Sequence, residues 1–249
     1  MTDLRRSLLR RHASIRRFLP PGYHAYPVRG GRMYLDVRES PMMLARVLRT
    51  YETPKFDALR NFLRPGNTFL DVGANKGDFS LFAARVMADA GRVIAVEPET
   101  TNAEWIARSV TRNGYRSVDV ARVALDDHDG EATLYLGEKS GWHSLVAADG
   151  VATTGEMRVP TQTLDALLAA RGVTRVDAIK IDVEGAEERV LAGAAQTFAG
   201  DHAMLVLLDV HPLRGVDPLA VAQRLRGWGF TIDDPAEVRG NTKSILATR

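Results

Sequence analysis

The segment from Asn67 to Glu99 constrains the fold more than any other part of the chain. It reads Asn-Thr-Phe-Leu-Asp-Val-Gly-Ala-Asn-Lys-Gly-Asp-Phe-Ser, then a helical run, then Arg-Val-Ile-Ala-Val-Glu-Pro-Glu. Thr68 to Val72 is a short apolar run of β-formers, as a buried strand requires. Gly73 and Gly77 bracket a tight turn, after which Phe79, Phe82, Ala83 and Val86 recur at helical spacing. Arg92 to Val96 predicts a second buried strand with Glu97 at its carboxyl end. The result is a β-turn-α-β unit in which glycines let the backbone approach a ligand beside the free N–H groups of a helix start. An acidic residue after the second strand can accept hydrogen bonds from both hydroxyls of a ribose.

The dinucleotide fingerprint Gly-x-Gly-x-x-Gly is not met by Gly73-Ala74-Asn75-Lys76-Gly77-Asp78. Asp71 and Asp78, flanking the turn, would repel a pyrophosphate. Carboxylates there suit a ligand that carries an ammonium and a sulfonium group, and S-adenosyl-L-methionine is such a ligand. Three motifs then stand in order, each at a predicted strand end: Asp71-Val-Gly-Ala-Asn-Lys-Gly77, Val96-Glu97-Pro98 and Lys180-Ile-Asp-Val-Glu-Gly-Ala-Glu187. Together they resemble the FkbM-type S-adenosylmethionine-dependent methyltransferases over roughly residues 50 to 212. The resemblance implies a Rossmann-like class I methyltransferase fold, in which a mostly parallel seven-stranded sheet carries helices on both faces. It also implies a cofactor site drawn from Asp71, Gly73, Ala74, Asn75 and Gly77 in the turn, with Glu97 and Pro98 after the second strand. Asp126, or the Leu125 backbone, would edge the adenine, and Asp182 would close the site.

The second chemical centre is the stretch Val176 to Leu191. Val176 to Ile181 predicts a strand, with Asp182 at its end and Glu184-Gly185 opening the next helix. Open α/β sheets bind ligands outside the carboxyl ends of their strands, so Asp182 and Glu184 face the cleft that Gly73 and Glu97 line. Ala203 to Leu208 is the following strand, with Asp209 and His211 at its end; the family commonly has glutamate where Asp209 stands. Candidate catalytic residues are Asp182, placed by strand geometry, and His211, whose unperturbed pKa suits a base near neutrality. Glu184 and His143 complete the set. Asp182, Glu184 and Asp209 can also be read as gathering a divalent cation, but no spacing resembles a dedicated ligand set and no metal is expected. The plain readings of these residues are helix caps at Asp182 and Glu184, a turn at His211-Pro212 and a surface histidine at His143.

Composition narrows the chemistry. With no cysteine in 249 residues, disulfides, thiolate–zinc sites and cysteine nucleophiles are excluded. Methylation at pyrimidine C5, which ordinarily needs a thiolate, is therefore not expected. No apolar run reaches membrane-span length, and arginines interrupt every early apolar stretch, so no secretory signal is expected and the expected compartment is the cytoplasm.

Residues 1–32 carry eight arginines against Asp3 alone, a local balance of +7 in a chain of net charge +2. Leu4, Leu8, Leu9, Ile15, Phe18 and Leu19 lie between them at roughly helical spacing, until Pro20-Pro21-Gly22. Such a helix can lie on an anionic membrane surface or contact nucleic acid, or it can pack its leucines on the domain and solvate its arginines. Packing is the preferred reading, and a nucleic-acid partner is not expected. Oligomeric state is not legible. Residues 1–50 are read as a basic N-terminal extension and 51–249 as the methyltransferase domain.

The remaining pattern predicts a strand over Arg32–Val37 after a Gly30-Gly31 hairpin turn, and helices from Pro41 to about Arg49 and from Thr53 to Leu63. A helix follows at Asn102–Asn113, then strands at Ser117–Val123 and Glu131–Leu136. A Thr-Leu-Asp segment enters a helix before Leu168. Leu219–Trp228 is the last helix, before a closing antiparallel pair at Phe230–Ile232 and Ser244–Thr248. Tyr51-Glu52 resembles a Tyr-Glu pair that precedes the core in the family, and Ser144-Leu145, within the loop Ser140–Leu145, resembles a family Ser-Leu pair.

The resemblance implies O-methylation of a hydroxyl on a sugar or secondary metabolite, a small-molecule partner. The alternatives are an RNA methyltransferase, motivated by the basic N-terminus, and a non-catalytic nucleoside-binding module. No Asn/Asp-Pro-Pro-aromatic tetrad for amino-group methylation is present.

Overall fold

In the computed structural model, residues 18–137, 141–147, 153–233, 238–239 and 242–249 are described. The chain opens with a hairpin, β1 (His24–Val28) and β2 (Gly31–Leu35), followed by α1 (Pro41–Val47) and α2 (Thr53–Phe62). The central unit is β3 (Thr68–Val72), α3 (Asp78–Val86), β4 (Arg92–Val96) and α4 (Thr100–Asn113). Next come β5 (Val118–Ala121), β6 (Ala124–Leu125), β7 (Gly130–Gly137) and β8 (Thr153–Gln162), then α5 (Leu164–Ala170) and β9 (Ala178–Ile181). The last third holds α6 (Glu187–Ala192), α7 (Ala195–Ala199), β10 (Leu205–Val210), α8 (Pro218–Gly227), β11 (Thr231–Asp233), β12 (Val238–Arg239) and β13 (Thr242–Thr248).

Seven strands form the main sheet in the order β11-β13-β10-β9-β3-β4-β5, and β12 pairs with β13 beside that path. The pairs among β10, β9, β3, β4 and β5 are parallel, whereas β13 runs antiparallel to both neighbours. Parallel strands covered by helices on both faces must be apolar on both faces, which is why they read as unbroken apolar runs. Leu70, Val72, Ile94, Val96, Ile179, Ile181, Val206 and Leu208 pack on one side against Leu164, Leu167, Val190 and Leu225. The alternate residues Phe69, Val93, Ala178, Leu205 and Leu207 meet Phe56 and Leu59 of α2 and Phe79 and Phe82 of α3 on the other. The Phe56 and Phe79 rings stack 4.3 Å apart, and each such side chain contributes roughly 1.5–3 kcal/mol by leaving water.

The hairpin belongs to this core. Val28, Met33, Leu35, Val37 and Met43 pack with Leu81, Ala95, Ile106 and Val110. A Cβ on Gly30 would lie 2.5 Å from the main chain of Leu81, so only glycine lets the hairpin tip sit on α3.

The third strand departs from expectation. In place of one strand from Ser117 to Val123, the chain leaves the main sheet after Ala121. Ala124–Leu125 then pairs in a separate three-stranded sheet of order β6-β8-β7. The helix from Pro41 ends at Val47, with Leu48 as its cap. The arginine-rich helix expected before Pro20 lies, through residue 17, outside the described residues, as does Ser140. Among the described residues no helix is long and apolar enough to cross a membrane.

Candidate active site

The chain order reverses between β3 and β9: β4 and β5 extend the sheet to one side and β10 to the other. Loops leaving the carboxyl ends of β3 and β9 therefore diverge and open a crevice. A cavity of about 780 Å³ fills it, lined by Gly73, Ala74, Asn75, Glu97, Pro98, Asp182, Glu184 and His211 among others.

The glycine turn is fixed from both sides. Gly73 and Ala74 donate their N–H groups to the Val96 carbonyl, each at 3.0 Å. Gly73 has φ +71°, and a Cβ there would lie 1.9 Å from the Asp182 carbonyl oxygen. The turn and the loop after β9 thus touch through a position that admits no side chain. Asn75, also left-handed at φ 53°, donates its N–H to Glu97 Oε2 at 2.7 Å, and Glu99 N–H donates to Oε1 at 3.0 Å. Burial raises the Glu97 carboxyl to about 7, against the stabilising pull of those two N–H groups.

These residues fit S-adenosylmethionine. Each Glu97 oxygen spends one lone pair on the backbone and keeps another for a ribose hydroxyl. Pro98, Val123, Leu125 and Leu134 supply an apolar wall for a flat ring, and the side-chain-free cradle at Gly73 admits the ligand close to the backbone. The opposite end is rich in carboxylates, which suits a ligand bearing two positive centres.

Three residues expected in the cofactor site do not line the cavity. Asp71 is fully buried beneath the turn, where Oδ2 accepts from both N–H and Oγ of Ser80, at 3.0 and 2.6 Å. It shares a strand face with Phe69 and so points into α3, away from the cavity. Gly77, φ +86°, starts α3, and its would-be Cβ meets Ile106 at 3.2 Å. Asp126 is fully buried and paired with Arg189, while Val123, Ala124 and Leu125 just before it reach the cavity. The β6 segment, and not the Asp126 side chain, therefore borders the cavity.

At the far end, Asp182, Glu184 and His211 converge. His211 Nδ1 lies 2.7 Å from Glu187 Oε1, and Nε2 stands 3.7 Å from Asp182 Oδ1 and 3.6 Å from Glu184 Oε1. Burial opposes a charge on His211, but the hydrogen bond to Glu187 and the charges of Glu184 and Asp182 outweigh it and raise the imidazole to about 9. The expectation of a histidine titrating near its unperturbed value is corrected: among three carboxylates it holds its proton at neutral pH. Burial also raises Glu184 to about 7, while Lys180, His211 and Lys55 keep Asp182 below the usual carboxylate range against its own burial. Neither acid caps the next helix; α6 starts from Ala186 with no side-chain cap.

His143 lines the cavity in another role. Its Nδ1 accepts the Gly137 N–H at 3.2 Å, which leaves the proton of the neutral ring on Nε2 and makes that nitrogen a donor. Burial lowers its pKa, the charges of Glu99 and Glu39 opposing that shift. Next to it, Ser144 donates its hydroxyl to the Glu184 carbonyl at 2.6 Å and holds that residue at φ 53°.

Other cavity residues carried little or no signal in the sequence. Tyr51 and Glu52, whose role the motif left open, both line it. Lys55 bridges Glu52 at 3.0 Å and Asp209, and Ser244 Oγ donates to Asp209 at 2.6 Å, so the shorter acid at 209 is held from two sides. Arg46 pairs with Asp78 and lies 4.3 Å over the Tyr51 ring. Lys55 and Arg46 sit in helices that read as ordinary amphipathic segments; only the fold brings Lys55 to Asp209 of β10 and Arg46 to Asp78 at the start of α3.

Residues 71–232 match the methyltransferase FkbM domain. The chain is 30% identical over 218 residues to the 31-O-demethyl-FK506 methyltransferase FkbM of Streptomyces tacrolimicus, covering 75% of this chain and 82% of that protein. It is 29% identical over 158 residues to the hexuronic acid methyltransferase AglP of Haloferax volcanii, covering 62% of this chain and 59% of that one. The crystal structure of methyltransferase FkbM from Methylobacillus flagellatus superposes with a TM-score of 0.56 at 14% identity, over 83% of this chain and 52% of the other. That likeness shows the class I methyltransferase fold. The chain belongs to the FkbM family of S-adenosylmethionine-dependent methyltransferases.

Proposed function

We propose that this protein methylates a hydroxyl group of a sugar or of a secondary metabolite. The observation that carries the reading is the convergence of Asp182, Glu184 and His211 in the same cavity as Glu97 and the glycine turn. The names of the two relatives above supply the substrate classes. When bound, S-adenosylmethionine supplies an electrophilic methyl on a sulfonium.

The chain's own task is then to orient, to exclude water and to receive a proton. Gly73 and Glu97 fix the nucleoside, and Asp182 and Glu184 accept the hydrogen bond of an incoming hydroxyl as it loses its proton. Positioning of this kind contributes roughly 7–11 kcal/mol to such a barrier, and a placed base about 10²–10⁴-fold. The test is incubation with methyl-labelled S-adenosylmethionine and panels of sugars, hexuronic acids and hydroxylated secondary metabolites. A labelled product stable to mild alkali, as a methyl ether is, supports the reading. Label found only in an alkali-labile ester, on nitrogen or on carbon would overturn it.

A further inference from the structure

We propose that Asp182, Glu184 and His211 form a binding site for a divalent first-row cation such as Mn²⁺. The inference rests on the cluster that the methyl-transfer reading also uses, but its test needs no acceptor, so either can fail alone.

The ligand atoms face a common point. One ligand atom from each of Asp182, Glu184 and His211 lies within 4.8 Å of the other two. The separations of 3.7 and 3.6 Å from Nε2 are too long for hydrogen bonds. They suit atoms sharing one ion, since donors about 2.0–2.2 Å from a cation stand about 3–4 Å apart.

Each of the three groups is anchored by its other atom. Lys180 Nζ stands 3.4 Å from Asp182 Oδ2, and Arg214 Nε stands 3.4 Å from Glu184 Oε2. His211 Nδ1 meets Glu187 Oε1 at 2.7 Å, which puts the proton on Nδ1 and leaves the Nε2 lone pair toward the two acids whenever the ring is neutral. A carboxylate behind a histidine in this way is what orients metal-bound imidazoles.

A second observation concerns Glu187 itself. It is wholly buried; Oε1 also accepts the Gly185 N–H at 3.0 Å, while Oε2 is buried with no hydrogen-bond partner among the described residues. An acid buried at that cost, beside two further acids, calls for positive charge. Among the described residues, Glu52, Asp71, Asp78, Asp182, Glu184, Glu187 and Asp209 share this region with Arg46, Lys55, Lys180 and Arg214 as fixed cations, so acids outnumber cations there. A divalent ion held there would lower the pKa of a hydroxyl bound to it. Nothing in the primary spacing announces this set, because 182 and 184 leave one strand and 211 its neighbour. Asp209, the sequence candidate for a third ligand, is instead spent on Lys55 and Ser244.

The experiment is titration of the chelator-treated full chain with MnCl₂, following free Mn²⁺ by electron paramagnetic resonance. One tight ion per chain is expected. His211→Ala and Glu184→Gln should each weaken it more than about tenfold, and Glu187→Gln by about 10–100-fold through ring orientation alone. His128→Ala, in the Asp126–Asp127–His128 group whose last two members are exposed, should leave it unchanged. Retained S-adenosylmethionine binding shows that the variants are folded. Absence of Mn²⁺ binding, or stoichiometric binding that survives both His211→Ala and Glu184→Gln, would overturn the proposal.

Discussion

Lys180 Nζ donates to the main-chain carbonyl of Gly73 at 2.9 Å, joining the two sequence motifs by one buried hydrogen bond. The same ammonium lies 3.4 Å from Asp182 and 3.9 Å from Asp71. Burial alone would lower its pKa, but those acids raise it above the usual lysine value. Lys180→Met removes the only cation in contact with Asp71 among the described residues. Breaking a buried ion pair from one side costs about 3–5 kcal/mol. Chemical denaturation should show a loss of that size together with weaker cofactor binding; a variant as stable as the parent would mean that the lysine is not a structural link.

Glu97 makes cofactor affinity depend on pH. Its folded-state pKa of about 7 lies above that of an exposed glutamate, so burial of the charged form costs stability. That stability is fully present below the unfolded pKa and is lost as pH rises through 7. Ribose hydroxyls donate to the ionised form, so binding expels the proton, and affinity for S-adenosylmethionine should fall about tenfold from pH 8 to pH 6. Calorimetry should show proton release in that range, and Glu97→Gln should abolish both the release and the slope.

The hairpin and α1 are expected to be indispensable for folding. A chain beginning at residue 51 loses Val28, Met33, Leu35, Val37 and Met43 from the core, each contributing roughly 1.5–3 kcal/mol. It also strips Arg46 from the buried Asp78. That sum, about 7–15 kcal/mol, is as large as the whole stability of a typical domain. Circular dichroism should show no cooperative unfolding transition in this truncation, whereas a sharp transition would mark 51–249 as an autonomous unit.

Asp126→Asn should separate structure from binding. The side chain is buried against Arg189 and accepts the Asp127 N–H at 2.8 Å, behind the cavity wall. Loss of a charged hydrogen bond costs roughly 1.5–3 kcal/mol, so stability should drop by that amount. S-adenosylmethionine affinity should stay within about twofold, and a tenfold loss would return Asp126 to the cofactor site.

The strands β3 and β4 were legible to the residue, because strands buried on both faces must be apolar runs and glycine marks their ends. Of the β6–β8–β7 sheet only β7 is legible, as the alternating run Glu131–Leu136. β8 exposes most of Thr153–Arg158, so its sequence alternates weakly, and the break after Ala121 depends on pairing with residues some forty positions later. Within the site, Glu97 and Asp182 were legible because strand ends place them. Asp71 reads as a site residue for the same reason, but closeness to the turn in sequence does not say which face a strand residue takes, and one residue of alternation turns it into α3. Lys55 is joined to Asp209 across 154 positions, and a lysine in a helix otherwise reads as a solvated residue. His211 was correctly placed at a strand end, but its protonation depends on Glu187, which the sequence showed only as part of a helix start.

Gly73→Ala gives the sharpest test of the cleft, because an internal control exists. Gly73 and Gly114 share φ +71°, so a side chain suffers the same left-handed backbone cost at either, about 1–2 kcal/mol. At Gly114, the C-cap of α4, nothing lies within 4 Å of the would-be Cβ, and Gly114→Ala should cost that amount and leave cofactor affinity unchanged. At Gly73 the added carbon would fall 1.9 Å from the Asp182 carbonyl oxygen. The turn and the loop after β9 would have to part, which displaces Asp182 and pulls Gly73 off Lys180. Gly73→Ala should therefore destabilise by clearly more than Gly114→Ala and lose S-adenosylmethionine binding by at least about a hundredfold, or 2.7 kcal/mol. Thermal melts and calorimetry on the two variants decide the matter. Equal losses of stability with cofactor affinity intact would mean that the contact between the two loops is not what shapes the site.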